Sequence, residues 1–391
     1  MYSHKFRINW TNLIFFSGLP LVAIVGTVLL CFFGIVRWPT WVLAGTYMLL
    51  TGLAVTAGYH RLYSHKTYQA AWPLRLMLLL LGAGTFEGSA LEWCTDHRNH
   101  HRYTDTDKDP YNIKAGFWYA HIGWIFRLNP DARDFSNVED LNKDPLVYLQ
   151  DKYYVPIALF MGFILPMAIA MLWGDPWGGL LIGGALRMCV NHHFTFAINS
   201  VCHYFGKKTY SDRQSARDNW FTAFLTLGEG FHNFHHQFPL DYRNGIRFFD
   251  FDPTKWVIYL LSRVGLAKGL KCVGEHRIIH YRLQMQERQL LDELVQRQGA
   301  NENQLKQIAE PVRNKIDQVL TTMDSLEREY MQLKQQKLEK AYTRVGEYRA
   351  HLHAYRQRFK TARRELKIHL IEWSEMVKNC KQFVGFNTSQ V

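Results

Sequence analysis

Long apolar runs separated by short polar breaks dominate the first two-thirds of this chain. Leu13 to Val36 is uncharged for 24 residues and Thr40 to Tyr59 for 20, each enough to cross a hydrocarbon core as a helix. Val155 to Gly174 is a third such run, and Trp177 to Cys202 a fourth, interrupted by Arg187, Asn191, His192 and His193. A charge at bilayer depth is costly unless it faces protein, so the fourth run is expected to span with Arg187 turned against other helices. The predicted spans are therefore 13–36, 40–59, 155–174 and 177–202. Leu76 to Phe86, 11 residues between Arg75 and Glu87, is too short to cross and reads as an interfacial or buried helix. Four spans put both ends of the chain on one side. The connections at Arg37–Pro39 and near Asp175 carry little positive charge, so the remaining segments are expected in the cytoplasm.

The last third follows a different pattern. Asp252-Pro253 opens a short apolar run to Leu261 that suits an interfacial helix. From Val312 the apolar positions fall at Ile316, Val319, Met323, Leu326, Tyr330 and Leu333, then resume at Leu338, Ala341, Val345, Tyr348, Leu352, Tyr355, Phe359, Ala362, Leu366, His369 and Trp373. Steps of three and four are heptad spacing, broken once by a five-residue step after Leu333. Gln298-Gly299-Ala300-Asn301 marks a break before it, and Pro311 fits a first helical turn. One long coiled coil and a helical hairpin both satisfy this pattern. The expected organisation is a membrane domain over 1–270, a connecting helix or linker over 271–302 and a helical extension over 303–391.

Composition changes little in this picture. The start, Met1 to Arg7, lacks the apolar core and cleavage site of a signal peptide, so the first span is expected to remain. Six cysteines are scattered without a C-x-x-C pair, which suggests neither a zinc ribbon nor a disulfide framework. The formal net charge of +12 suits an anionic membrane surface or a phosphorylated substrate. No nucleic-acid-binding motif accompanies it.

Candidate chemistry lies in three histidine clusters: His60 with His65, His97 with His100 and His101, and His232 with His235 and His236. Neutral imidazoles are the commonest metal ligands. His97, His100 and His101 share a helix face, as do His232, His235 and His236, whereas the five-residue step from His60 to His65 suits a helix end. All three clusters emerge on the side assigned to the cytoplasm. Eight imidazoles exceed the needs of one ion and imply two. A nitrogen-rich set without thiolates fits iron better than structural zinc, although spacing alone leaves copper open. Adjacent His192 and His193 read as ordinary hydrogen-bonding groups. Asp105, Asp107 and Asp109 are candidates to orient imidazoles, and Arg98, Arg102, Lys108 and Arg127 to meet phosphates or a lipid surface.

The segments Gly58-Tyr59-His60-Arg61-Leu62-Tyr63-Ser64-His65, Asp96-His97-Arg98-Asn99-His100-His101 and Gly228-Glu229-Gly230-Phe231-His232-Asn233-Phe234-His235-His236 resemble the histidine boxes of membrane acyl-CoA delta-9 desaturases. Asn199-Ser200-Val201-Cys202-His203 and Phe238-Pro239-Leu240-Asp241-Tyr242-Arg243 also match, and the resemblance runs from about Trp38 to Leu270. It implies an all-α, four-transmembrane-helix desaturase fold with a cytoplasmic histidine-box cap, here followed by the helical extension. It further implies nine histidine ligands, adding His203 to the eight above, with Asn199 reaching one of two irons through a water. Dioxygen is the implied co-substrate and a fatty acyl-CoA the substrate, with a cis double bond as product. Trp93 and Phe196 match tunnel-lining positions, and Tyr47 and Met48 would sit at the tunnel end. Many members of that family end in a haem-binding electron carrier. No His-Pro-Gly-Gly motif occurs here, so a separate donor is expected, a cytochrome b type haem protein or a ferredoxin with its reductase. Another histidine-box enzyme, such as an acyl-lipid desaturase or hydroxylase, is the nearest alternative, and a scaffold acting through its coiled coil is the alternative outside enzymes. The expected location is a multi-pass place in a bacterial inner membrane or the endoplasmic reticulum, with self-association through the C-terminal helices.

Overall fold

The computed structural model describes residues 7–128, 134–298, 302–338 and 345–387. They form two compact units, one of 1–208 with 212–272 and the other of 209–211 with 273–391. Both are built from helices.

In the first unit α1 (Trp10–Phe32), α2 (Trp38–Ser64) and a broken helix over Tyr154–Met171 are long and apolar enough to cross a membrane. Leu21, Ile24 and Val28 of α1 point outward, as lipid-facing side chains do and as water-facing ones rarely do in such density. Between α2 and that third span lie α3 (Trp72–Ala83), α4 (Ala90–Tyr103) and α5 (Pro145–Lys152); the third span itself is α6. Helix α3 is the short apolar run, and Leu74, Leu78 and Leu79 bury one face of it. The expected fourth span is a continuous helix over 176–204, α7, too polar in its second half to qualify by hydropathy among the described residues.

Arg187 on α7 is fully buried and makes no ion pair with a carboxylate among the described residues, Glu87 acting on it only at longer range. Its Nε donates to Gly183 O (3.1 Å), Nη1 to Gly84 O (3.0 Å) and Nη2 to Gly162 O (3.3 Å), and its guanidinium lies 4.9 Å from the Tyr47 ring centroid. The reason is in the backbone. The stretches Phe160–Ile164 and Gly179–Leu186 are wound as wide π-helical turns. Such turns disturb the regular carbonyl ladder at Gly162 and Gly183, and Gly84 caps the end of α3, so a forked five-donor guanidinium satisfies oxygens freed by two wide turns and a helix end at once.

Helix α2 changes its winding where it leaves the apolar zone. Ala54–Ser64 is π-helical, and His65 N donates to His60 O at 3.1 Å, a five-residue step. Small residues permit close packing around this stretch. A Cβ at Gly82 would sit 2.6 Å from the Tyr59 ring, and one at Gly58 3.0 Å from Leu78 Cβ. A two-residue antiparallel pairing of Gln69–Ala70 with Ala267–Lys268 ties the end of α2 to the segment after α9, where α8 is His232–Gln237 and α9 is Pro253–Arg263.

The second unit is a three-helix bundle of α10 (Glu275–Gln298), α11 (Glu302–Leu338) and α12 (Val345–Asn387). Its core holds Ile279 and Leu283 from α10, Ile316, Val319, Leu320 and Met323 from α11, and Ala362, Leu366 and Trp373 from α12. The pairings Tyr330–Tyr355, Glu329–Arg358 and Lys315–Glu372 advance along α11 while retreating along α12, so the two helices are antiparallel. Of the two arrangements the heptad pattern allowed, the chain adopts the hairpin. Ala341 lies outside the described residues. The segment 271–302, expected as a connecting helix, contributes Ile279, Leu283, Leu290 and Leu294 to the buried interior.

Candidate metal centre

The sequence scatters the histidines over 177 positions, from His60 to His236, and the fold collects nine of them in two groups. Nitrogens of His60, His65, His97, His101 and His235 lie within 4.8 Å of one another, as do those of His100, His203, His232 and His236. Helix α4 supplies both groups from one face, and α8 does the same. The π-helical turn brings His60 and His65 together, since one wide turn places residues five apart one above the other. His203 comes from the end of α7. Asn199 lies one turn before it on the same face of that helix.

The inner nitrogens crowd. His65 Nε2 is 2.8 Å from His97 Nε2, and His235 Nε2 is 2.9 Å from both His60 and His101 Nε2. In the other group the Nε2 separations are 3.2 Å for His100–His236 and 3.1 Å for His203–His232 and His232–His236. Acceptors hold several of the outer nitrogens. His60 Nδ1 lies 2.8 Å from Glu229 Oε2 and His100 Nδ1 2.8 Å from Asp109 Oδ1. His236 Nδ1 meets Gln214 Oε1 at 2.9 Å and His203 Nδ1 meets Ser215 Oγ at 2.7 Å, with Asp105 bonded behind Ser215. An acceptor on Nδ1 keeps the proton there and turns the Nε2 lone pair inward. Several lone pairs converging in a dry space repel unless a cation lies among them. Nitrogens bound at about 2.1 Å to one ion stand roughly 3 Å apart when adjacent, which is the spacing present. The residues fit two metal ions.

Electrostatics keeps the ligands in their binding form. Burial, and then the neighbouring imidazoles, hold His97, His101, His235 and His236 well below the ordinary imidazole range, so they are neutral near pH 7. Glu229 is the counterweight. Burial alone would raise its pKa, but His60 and Arg61 outweigh burial and hold it at about 2. Arg61, itself buried, bonds Glu229 and Asp252 at 2.9 Å each. Gly228 in the preceding turn has φ +108°, and a Cβ there would meet Asp252 at 2.5 Å.

Other expected site residues fall in different places. Trp93 is stacked on His97 with centroids 4.9 Å apart, and its indole N–H donates to Glu87 (3.3 Å). Phe196 is buried against His192 and Phe16. The Tyr47 hydroxyl donates to Met161 O at 2.5 Å and its ring supports Arg187, which is a packing role. Met48 is half-buried one residue on. His192 bonds Thr85 O at 2.6 Å, and His193 bonds His121 at 3.0 Å; neither joins a metal group. Arg98 is spent on Tyr63 O, Ser64 O and Asp140, so it serves the fold and is withdrawn as a phosphate contact. Sequence reasoning missed Glu87, Gln214, Ser215 and the acceptor role of Glu229. Glu229 could have been found, because an acid between two glycines beside a histidine box has no surface to reach.

Residues 36–260 match the family model described as fatty acid desaturase. A probable acyl-CoA desaturase of Schizosaccharomyces pombe is 47% identical over 274 residues, covering 70% of this chain and 56% of that protein. Acyl-CoA desaturase 1 of Saccharomyces cerevisiae is 40% identical over 73% of this chain and 56% of its own length. The chain thus spans little more than half the length of these two relatives. Delta(9)-fatty-acid desaturase fat-7 of Caenorhabditis elegans is 37% identical over 70% of this chain and 82% of its own. With this match spanning the helices that carry both histidine groups, the chain belongs to the fatty acid desaturase family.

Proposed function

We propose that this protein is an oxygen-dependent acyl-CoA delta-9 desaturase, bound to the membrane by four spans with both ends in the cytoplasm. The observation that carries the reading is the convergence of nine imidazoles into groups of five and four. One iron would be held by His60, His65, His97, His101 and His235, and the other by His100, His203, His232 and His236 with Asn199 through a water. Such a pair, when bound, supplies the oxidising power to break unactivated C–H bonds. The overall reaction takes one dioxygen, two electrons, two protons and two hydrogens from adjacent methylenes, and gives a cis double bond and two waters. The chain's own residues keep the lone pairs inward, exclude water and set which carbons approach. Trp93, flat against His97, and Phe196 would contact the acyl chain, and Met48 would limit its length.

Electrons are assigned to a separate cytochrome b type or ferredoxin donor. The heptad stripe, first expected to drive self-association, buries its apolar positions within one chain when α11 and α12 fold back, so no second copy is required. The test is the fatty-acid profile of desaturase-deficient cells expressing this chain. Monounsaturated products of stearate and palmitate with the bond nine carbons from the carboxyl are expected, and none from His235→Ala. Hydroxylated products, or desaturation only of lipid-linked chains, would assign the site to the rival histidine-box chemistry.

A further inference from the structure

The second unit carries a charge pattern that neither the metal centre nor its own packing uses. Along α12 the positions Arg349, Arg356, Lys360, Arg364, Lys367 and Lys378 are all exposed. With His353, Ile371 and Ser374 they recur in steps of three and four from end to end, and so occupy one narrow face. The row runs roughly 44 Å at 1.5 Å per residue. No acid lies within the row, exposed Glu375 standing at its edge, and none of the six cations has an ion-pair partner among the described residues. The other cations of α12 behave differently. Arg358 pairs with Glu329 and Arg363 with Glu275, so cations at the seams between helices meet acids while the six of this row do not.

Like charges three and four apart destabilise a helix. A row of them therefore costs stability in isolation and regains it against an anionic surface. We propose that this face of α12 lies on the anionic lipid surface of the membrane that holds the first unit. Three observations favour lipid over an acidic protein. The bundle is covalently joined at Val273 to the unit that carries the candidate membrane spans, which raises its effective concentration at that membrane. The exposed cations are spread along the helix from Arg349 to Lys378 rather than gathered in one cluster. Ile371 within it and Ile368 at its edge are 53% and 57% exposed, and apolar side chains among cations are what a helix at the headgroup boundary presents.

The test uses the full chain in lipid nanodiscs, either phosphatidylcholine alone or phosphatidylcholine with phosphatidylserine, and reads the acetylation rate of individual lysines by mass spectrometry. Lys360 and Lys367 should react several-fold more slowly on the anionic discs, while exposed Lys334 of α11 should not change. Protection should disappear at high salt, because the attraction is screened within a Debye length. In a variant combining Arg356→Ser and Arg364→Ser, affinity of the face for the anionic surface should fall roughly fivefold for each cation removed, and protection at Lys367 should be lost. Equal rates on both discs with no protection would overturn the proposal and leave a solvated face. Equal protection on both would overturn it in favour of a contact within the protein. Protection given only by added polyglutamate would assign the face to an acidic protein instead.

Discussion

Replacing Glu229 with Gln separates a carboxylate that orients a ligand from one that merely fills space. Glu229 Oε1 accepts from Arg61 Nε and Nη2 at 3.2 and 2.9 Å, while Oε2 accepts from Asn244 Nδ2 at 2.7 Å and faces His60 Nδ1 at 2.8 Å. Both oxygens thus meet donors. An amide has one acceptor end, so in either orientation its NH2 opposes a donor. Placed toward His60, it removes the acceptor that keeps the proton on Nδ1, and the Nε2 lone pair is no longer fixed inward. Loss of such an outer partner typically costs about 10- to 100-fold in metal affinity. Stability should also fall. Breaking a buried pair costs about 3–5 kcal/mol, an upper bound here because Asp252 still neutralises Arg61. The effect should be larger in the five-nitrogen group, since His100, His203 and His236 of the other are held by Asp109, Ser215 and Gln214 and only His232 feels Glu229. The assay is iron retained per chain across a chelator series. The variant should lose half its iron at chelator concentrations that leave the parent full, with helicity intact. A curve identical to the parent's, or simultaneous loss of both ions from a folded protein, would refute the role given to Glu229.

Asp109→Asn is the mirror experiment. It should release metal from the four-nitrogen group first, and an unchanged metal content would remove Asp109 from the orientation of His100. Arg187→Met should leave Gly84 O and Gly162 O without a donor at roughly 1–3 kcal/mol each, lowering the detergent-solubilised melting temperature; a melting curve that does not move would show that these carbonyls are satisfied otherwise. Truncation after Cys272 should leave iron content and single-turnover desaturation with a chemical reductant intact. Loss of iron from that shorter chain would make the helical bundle a support of the active site.

Much of this architecture was legible in the sequence because it rests on periodicity and apolar length. The first three spans, the short α3 and the heptad stripe all follow from where Leu, Val and Phe fall. The histidine boxes were legible because imidazoles in steps of three and four share a helix face whatever the surroundings. Local winding was not. A five-residue step between His60 and His65 looks like a helix end, and only the π-helical turn over Ala54–Ser64 makes it a shared face. The partner of Arg187 was hidden for the same reason, since backbone carbonyls freed by wide turns leave no mark in side-chain chemistry. The assignment of histidines to two ions, with His100 parted from its neighbours His97 and His101, depends on the crossing of α4, α7 and α8, which no local pattern encodes. Ser215 and Gln214 reach the site from a connection with no regular pattern of its own.

Nine imidazoles in groups of five and four should hold two irons. Metal analysis of the purified full chain, quantifying iron, zinc and copper against protein in one sample, tests this most directly. Two irons per chain, without haem absorbance and reduced to a background level in a variant combining His100→Ala with His235→Ala, is the result expected. A single zinc or copper in a chain that still desaturates without iron would contradict the account.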